Sequence, residues 1–440
     1  MGGGRAFARR PIPAHLGRED EGGWKCGLVL LAVAFALTAC ASKSIAVAQT
    51  PPETLAPVAT SSPERSGSLR DMETDAPPVD IATGDGTLTS YLSQLRVASC
   101  PAGVKKVEPR EIELKAARVP LQGINPKRRT IGQLTYLGGF HLTSGEKRFG
   151  GLSDLKVLPD GNLLAESDQG DFVWLDLDAD GVMPKAARIA AMLDAAGKPL
   201  EGKRESDAEG LAYKDGLAFI SFERDHRVLA YDIGKCGAAA RGAPINFRAF
   251  GLPLPQAFAA AKLDVPDNSS VEALGITPDW YLGIGVEQQA GGRGPLSLRP
   301  VEAPPDFNLR IEKNAPDLVS VDFLPDGKEG RDLRAFTLHR GFDSLLGNAI
   351  TITETKLTRY LDQSRLPARI VSEINERSHN RFKVASSQRL AEMSVMLTID
   401  NYEGLAARRM PDGKVRLYVI SDDNFSASQR TLLMVFELAK

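Results

Sequence analysis

Carboxylates recur in pairs along this sequence, and their spacing is the first sign of chemistry. Asp154 and Asp168 lie 14 residues apart, Glu209 and Glu223 14, Glu272 and Glu287 15, Glu403 and Asp422 19. Between the members of each pair runs an apolar stretch, a turn and a second apolar stretch. The turns are Pro159-Asp160-Gly161, Asp215-Gly216, Pro278-Asp279 and Pro411-Asp412-Gly413. Two apolar runs about such a turn read as a β-hairpin, which brings its own ends together. Each unit is therefore a hairpin with an acid at both ends. Acids gathered in one place repel, so they must be protonated, paired with Arg or Lys, or bound to a cation. Hard oxygen ligands of this kind suit Ca2+, which accepts irregular geometry. The expected metal ligands are Asp154, Asp168, Glu272, Glu287, Asp422, Asp423 and Asn424, with Asn268 and Asn401 as further neutral oxygens. Glu209, Glu223 and Glu403 are the expected catalytic carboxylates, as ligands or general base. Arg224, Arg340 and Arg430 are the candidates for substrate binding, because guanidinium matches phosphate oxygens bidentately.

The elements that must position these acids are strands. Ile131 to Leu137, Leu163 to Glu166, Phe172 to Leu177, Leu217 to Phe222, Val228 to Ile233, Leu318 to Phe323, Val415 to Ile420 and Leu432 to Leu438 are short β-like runs. Helical stretches are few: Ala186 to Ala196, Pro255 to Lys262 and Ala368 to Ser378. Strand-rich units recurring every few tens of residues predict an all-β propeller. The length predicts six blades, with five or seven left open. The stretch from Arg293 to Gln363, read as two blades, carries the pattern poorly. A propeller closes by pairing strands from both termini, which would explain a last strand running almost to the chain end. Its inner strands would gather the repeated acids at one mouth of a central channel.

Composition fits this reading. Gly 41 and Pro 28 suit a turn-rich β protein, and a formal net charge of −2 gives no electrostatic reason to expect nucleic acid. The folded part is expected as a monomer over 111–440. Lys25, the apolar run Leu28 to Ala36 and Leu37-Thr38-Ala39-Cys40 form a secretory leader over 1–40. Leu-Thr-Ala-Cys resembles a bacterial lipobox, which makes Cys40 a lipid-modified residue and the protein an outer-membrane lipoprotein facing the periplasm. An ordinary signal peptide with a chance cysteine is the competing reading. Residues 41–110, rich in Pro, Ser, Thr and Ala, are expected as a disordered tether. Cys100 and Cys236 could form a disulfide in an exported compartment or remain free thiols.

Gly150-Gly151-Leu152-Ser153-Asp154, Ser167-Asp168, the pair Glu209-Gly210-Leu211-Ala212 and Glu403-Gly404-Leu405-Ala406, and Ser421-Asp422-Asp423-Asn424-Phe425 with Gln429-Arg430-Thr431 resemble the phytase-like family, described by esterase-like activity of phytase. The resemblance spans about residues 130 to 440 and is most specific at Ser421 to Phe425. It implies a β-propeller, phosphoester hydrolysis and, by analogy to propeller phytases, calcium. The substrate would be a small phosphoester or ester. Phytate itself is highly charged, and no dense Lys/Arg cluster adjoins these motifs. A serine hydrolase is disfavoured, since Gly151-Leu152-Ser153-Asp154-Leu155 lacks the second glycine of the nucleophile elbow. Of His141, His226, His339 and His379, only His226 closely follows a repeated acid. No His-x-x-x-His or Cys-x-x-Cys suggests zinc. A non-catalytic envelope binding platform and a lactonase-type calcium propeller are the alternatives.

Overall fold

A computed structural model describes residues 88–245, 254–263, 265–266, 271–287, 295–307, 309–311, 316–327, 332–343, 347–359 and 382–439. The leader with Cys40, residues 41–87 of the tether, Asn268 and the helix expected over 368–378 lie outside these residues.

Five antiparallel sheets make up the fold. Their innermost strands are Leu152–Val157, Ala208–Lys214, Val271–Ile276, Asp317–Asp326 and Asn401–Arg409. Each packs on the next, and the last packs on the first, so the sheets are blades 1 to 5 of a closed β-propeller. Five apolar clusters fill the five spaces between neighbouring blades. Leu155 and Val173 of blade 1 meet Ile420 and Val435 of blade 5, for example. The second strands are buried on both faces and read as nearly continuous apolar runs, as in Leu217–Phe222 and Tyr281–Val286.

The expectation of six blades is corrected to five, for two reasons. Blade 4 is built of unusually long strands, Asp317–Asp326, Asp332–Asp343, Gly347–Arg359 and Phe382–Met393, so one blade takes up sequence enough for two. The first strands also form no blade of their own. Leu134–Thr143 pairs with the C-terminal strand Leu432–Leu438 and closes the ring within blade 5. Arg110–Ile112 edges blade 1 beside Pro184–Ala191.

Two local expectations also change. The helix expected over 186–196 is in part the strand Pro184–Ala191, where Ala187 and Ile189 are buried at period two. The tether does not reach residue 110. Leu88–Ser99 is a helix whose Tyr91 and Leu95, one turn apart, are buried in the cluster between blades 2 and 3. Arg96 of this helix pairs with Asp232 at 3.0 Å, and Cys100 is disulfide-bonded to Cys236 with Cα atoms 5.8 Å apart. Leu254–Ala260 is helical, as expected.

On the propeller axis lies a buried ionic knot. Asp154 is fully buried. Its Oδ1 accepts from the Leu155 amide at 2.8 Å, the Ser320 hydroxyl at 2.9 Å and the Leu405 amide at 3.3 Å. Its Oδ2 accepts from Lys156 Nζ at 2.7 Å and the Leu211 amide at 3.0 Å. One carboxylate thus ties blades 1, 2, 4 and 5 together. The matching positions of the other blades are the small residues Gly210, Ala273, Ser320 and Gly404. A Cβ on Gly404 would come 2.8 Å from the Asp154 Cα, so the close approach requires glycine. Replacing Asp154 by Ala removes the direct carboxylate partner of a buried ammonium. The expected loss is about 3 kcal/mol of unfolding free energy. It is read as a fall in the urea midpoint, and an unchanged midpoint would show that the knot holds nothing.

Candidate functional site

At one end of the axis every inner strand carries a β-bulge at the same place. In blade 2, Ala208 faces Phe222 and Gly210 faces Ser221, so Glu209 is the extra residue. Register breaks of the same kind single out Ser153 in blade 1, Glu272 in blade 3, Val319 in blade 4 and Glu403 in blade 5. A bulge re-aims one side chain without moving the rest of the strand. Just before the bulge the pairs are Leu152–Ser167, Ala208–Phe222, Val271–Val286, Leu318–His339 and Tyr402–Ser421, and the residue following that partner on the neighbouring strand is Asp168, Glu223, Glu287, Arg340 or Asp422. Two tiers therefore surround the mouth, three glutamates on bulges and four acids with one arginine on the strand ends.

This geometry corrects the place of Asp154. It lies one residue beyond the bulge, level with Gly210 and Gly404 rather than with Glu209 and Glu403. Its oxygens are taken up by the knot, so it is a structural anchor and not a metal ligand. Asp423 is a second correction. Its Oδ1 accepts from the amides of Gly151 at 2.9 Å and Phe425 at 3.1 Å, and its Oδ2 from Thr431 Oγ1 at 2.9 Å. It clamps the closing loop to the entry of blade 1. Asn424 is exposed in that turn at φ 47°, and its amide donates to Asp422 Oδ1 at 2.6 Å.

The three arginines divide. Arg340 Nη2 reaches Glu287 Oε1 at 2.8 Å, and Nη1 reaches Asn401 Oδ1 at 2.6 Å and Glu403 Oε1. Its fork is spent on the ring, so it is the ring's internal counter-ion and not an open phosphate ligand. Arg430 bonds Asp400 Oδ2 at 3.1 Å and the Ile399 carbonyl at 3.2 Å, and it touches no ring carboxylate. Arg224 stands half-exposed, with Nε on Asp207 Oδ2 at 2.6 Å. His226 packs edge-on against Phe258, with ring centroids 5.7 Å apart.

What remains is a crowd of carboxyls with few partners. Asp207, Glu209 and Glu223 each place an oxygen within 4.8 Å of the others. Burial, then the charge of Glu272, pushes Glu209 well above the ordinary carboxylate range. Glu272 is raised in the same way by burial and Glu287. Burial pushes Glu223 up to about 7, helped by the charge of Asp207 and a carboxyl–carboxyl hydrogen bond with it. Asp422 is pushed up to about 8 by burial and Glu403. Burial also raises Glu403, although Arg340 opposes it.

Sequence reasoning passed over Glu166, Asp207 and Lys203. Glu166 faces Asp154 across blade 1, is fully buried, and neither carboxyl oxygen has a hydrogen-bond partner. Burial raises it well above the ordinary range, as do Asp154, Asp168, Glu403 and Asp422. Lys203 joins Asp207, at 2.8 Å, to Asp168, whose second oxygen is buried and unpartnered. Asp207 stands two residues before the bulged Glu209 and could have been read from the acid doublet. Nothing local marks Glu166, since its exposure to the ring depends on register.

A carboxyl raised in the folded state holds its proton more tightly folded than unfolded. Its stabilising contribution is full below the ordinary value of about 4 and is lost as pH rises through the folded value. With Glu223 at about 7 and Asp422 at about 8, stability in a chelator should fall from about pH 5 to about pH 8. The slope is about 1.4 kcal/mol per pH unit for each group between its two values. Thermal melts across this range check it, and a melting temperature that rises toward pH 8 would contradict it.

A model of the phytase-like family, esterase-like activity of phytase, matches residues 147–425. No curated protein matches the chain. Similar solved structures include the glutaminyl cyclase of Myxococcus xanthus, at 8% identity over 70% of this chain and 97% of that one, TM-score 0.34. The PQQ domain of pyranose dehydrogenase from Coprinopsis cinerea has 9% identity over 76% and 99%, TM-score 0.34. A putative oxidoreductase (glucose dehydrogenase) of Thermus thermophilus has 13% identity over 66% and 98%, TM-score 0.31. The matched region holds all four acid-ended hairpins, and the chain belongs to the phytase-like family.

Proposed function

We propose that the protein is an exported hydrolase of small phosphoesters or esters whose acidic mouth holds a divalent cation of the calcium class. The observation that carries this is the Asp207, Glu209 and Glu223 group beside Glu166, a fully buried carboxyl with two unpartnered oxygens. Unsatisfied buried carboxyls are costly, and an all-oxygen donor set fits a hard cation. Asp207, Glu209 and Glu223 would hold the ion, with Glu166, Asp168 and Glu272 within the same field of charge. When bound, such an ion supplies Lewis-acid polarisation of the ester or phosphoryl oxygen.

The chain's own residues do the rest. Glu223 would be ionised once the cation binds, and its second oxygen would then take a proton from water. Arg340 keeps Glu287 and Glu403 in place and limits mutual repulsion. Arg224 is the guanidinium left to meet an anionic substrate group. With so few open cations, a substrate of low charge fits better than phytate. Family membership supports hydrolysis. The Cys100–Cys236 disulfide supports an oxidising compartment, in line with export on a lipid anchor at Cys40. The same reading takes the protein as a periplasm-facing monomer without nucleic-acid partners.

The test measures calcium binding by calorimetry and hydrolysis of p-nitrophenyl phosphate and p-nitrophenyl acetate, with Ca2+ and with EDTA. Calcium-dependent turnover is expected, falling about 100-fold or more in Glu223→Gln. Glu209→Gln should weaken calcium binding. Tight calcium binding without turnover would favour the binding platform. Neither binding nor turnover would overturn the proposal.

A further inference from the structure

Apart from the mouth, a cavity of about 320 Å3 opens at the outer edge of blade 1, where Arg110, Arg148 and Asp171 meet the wall of Ile189, Ala191 and Leu193. Asp171 is 1% exposed. Its Oδ2 accepts from Arg148 Nε at 2.8 Å, while Oδ1 is buried and has no partner. A buried acceptor left without a donor costs about 1–3 kcal/mol, so the site is built to receive one. Arg148 spends only its Nε on this pair and is itself partly exposed. Glu146 pairs with the Arg110 guanidinium through Nη2 and accepts from the Arg148 backbone amide at 3.1 Å. Two guanidiniums thus stand beside a carboxylate with one oxygen unpartnered, and the facing wall is apolar. Glu108, the other acid on the cavity, is exposed.

This arrangement matches a molecule that carries a cationic donor and an anionic acceptor on neighbouring atoms. We infer that the cavity binds a small aliphatic α-amino acid, with its ammonium on Asp171, its carboxylate on Arg148 and Arg110, and its side chain against Ile189 and Leu193. A zwitterion adds no net charge to a site whose own charges are nearly balanced. Guanidinium holds a carboxylate bidentately, which fixes the orientation that presents the ammonium to Asp171. The volume lies at the small end of ligand pockets. The inference is independent of hydrolysis at the mouth.

Calorimetry and thermal shift with L-alanine and L-valine test it, with propionate and propylamine as molecules carrying only one half of the recognition. Both amino acids should bind and raise the melting temperature, and neither half-molecule should do so at equal concentration. Asp171→Asn should weaken binding at least tenfold. Leu193→Phe, which fills the cavity from a half-buried position without touching the ion pair, should abolish it while circular dichroism stays unchanged. The inference is overturned if no amino acid binds the intact protein. Equal binding by propionate or by a folded Leu193→Phe variant would overturn it as well.

Discussion

Carboxyl groups brought together out of water cannot all be charged, and the propeller brings its own together by construction. Each blade repeats one bulge and one strand end at the same height, so an acid placed there in several blades meets its copies around the axis. Arg340 occupies in blade 4 the place that acids hold in the other four, and its three partners come from blades 3 and 5. It removes part of the repulsion from within the ring. The remainder has to be met by protons or by cations from solution. The high proton affinity of Glu209, Glu272 and Asp422 is one expression of this constraint, and the cation site proposed above would be another.

Deeper along the axis the same problem is solved completely. Asp154 has Lys156 for charge and amides from three blades for hydrogen bonds. Nothing is left over for a ligand. The Asp154 carboxylate is therefore satisfied, whereas Glu166 facing it and the acids of the mouth are not. A propeller suits this division, because its inner strands are held on both faces by apolar packing and can carry polar misfits at one end.

Much of this was legible in the sequence. The acid-ended hairpins, the propeller, the closure by the last strand and the gathering of Glu209, Glu272 and Glu403 followed from apolar periodicity and turn residues. Asp154 was misplaced because a bulge is invisible in spacing: Ser153-Asp154 looks like a shifted copy of Glu209-Gly210, and one residue of slip turns a side chain to the other face. The blade count failed where strands were long and where the N-terminal strands joined blade 5. Arg340 and Arg430 turn to internal partners because residue type gives charge, while partners are set by register. Tyr91 and Leu95 form too short a helical stripe to stand out beside a Pro- and Ser-rich segment, yet they anchor the helix that precedes Cys100.

Among buried carboxyls, the supply of donors separates the structural from the available. Asp154 and Asp322 each collect the amide of the next residue on their own strand and an amide from a neighbouring blade, and the half-buried Asp423 collects amides from its own turn and from Gly151, so removing any of them strands donors that the fold has committed. Glu166 collects none, Asp168 leaves one oxygen empty, and Glu223 has another carboxyl as its hydrogen-bond partner. A fold under no demand but stability would replace such groups, since an apolar residue of similar volume removes the desolvation cost altogether. Glu166 faces Asp154 one residue below the bulges, and Asp168 and Glu223 stand on the strand ends above it, so the unsatisfied carboxyls form one run from the Asp154 level to the mouth, while Asp154 itself is satisfied.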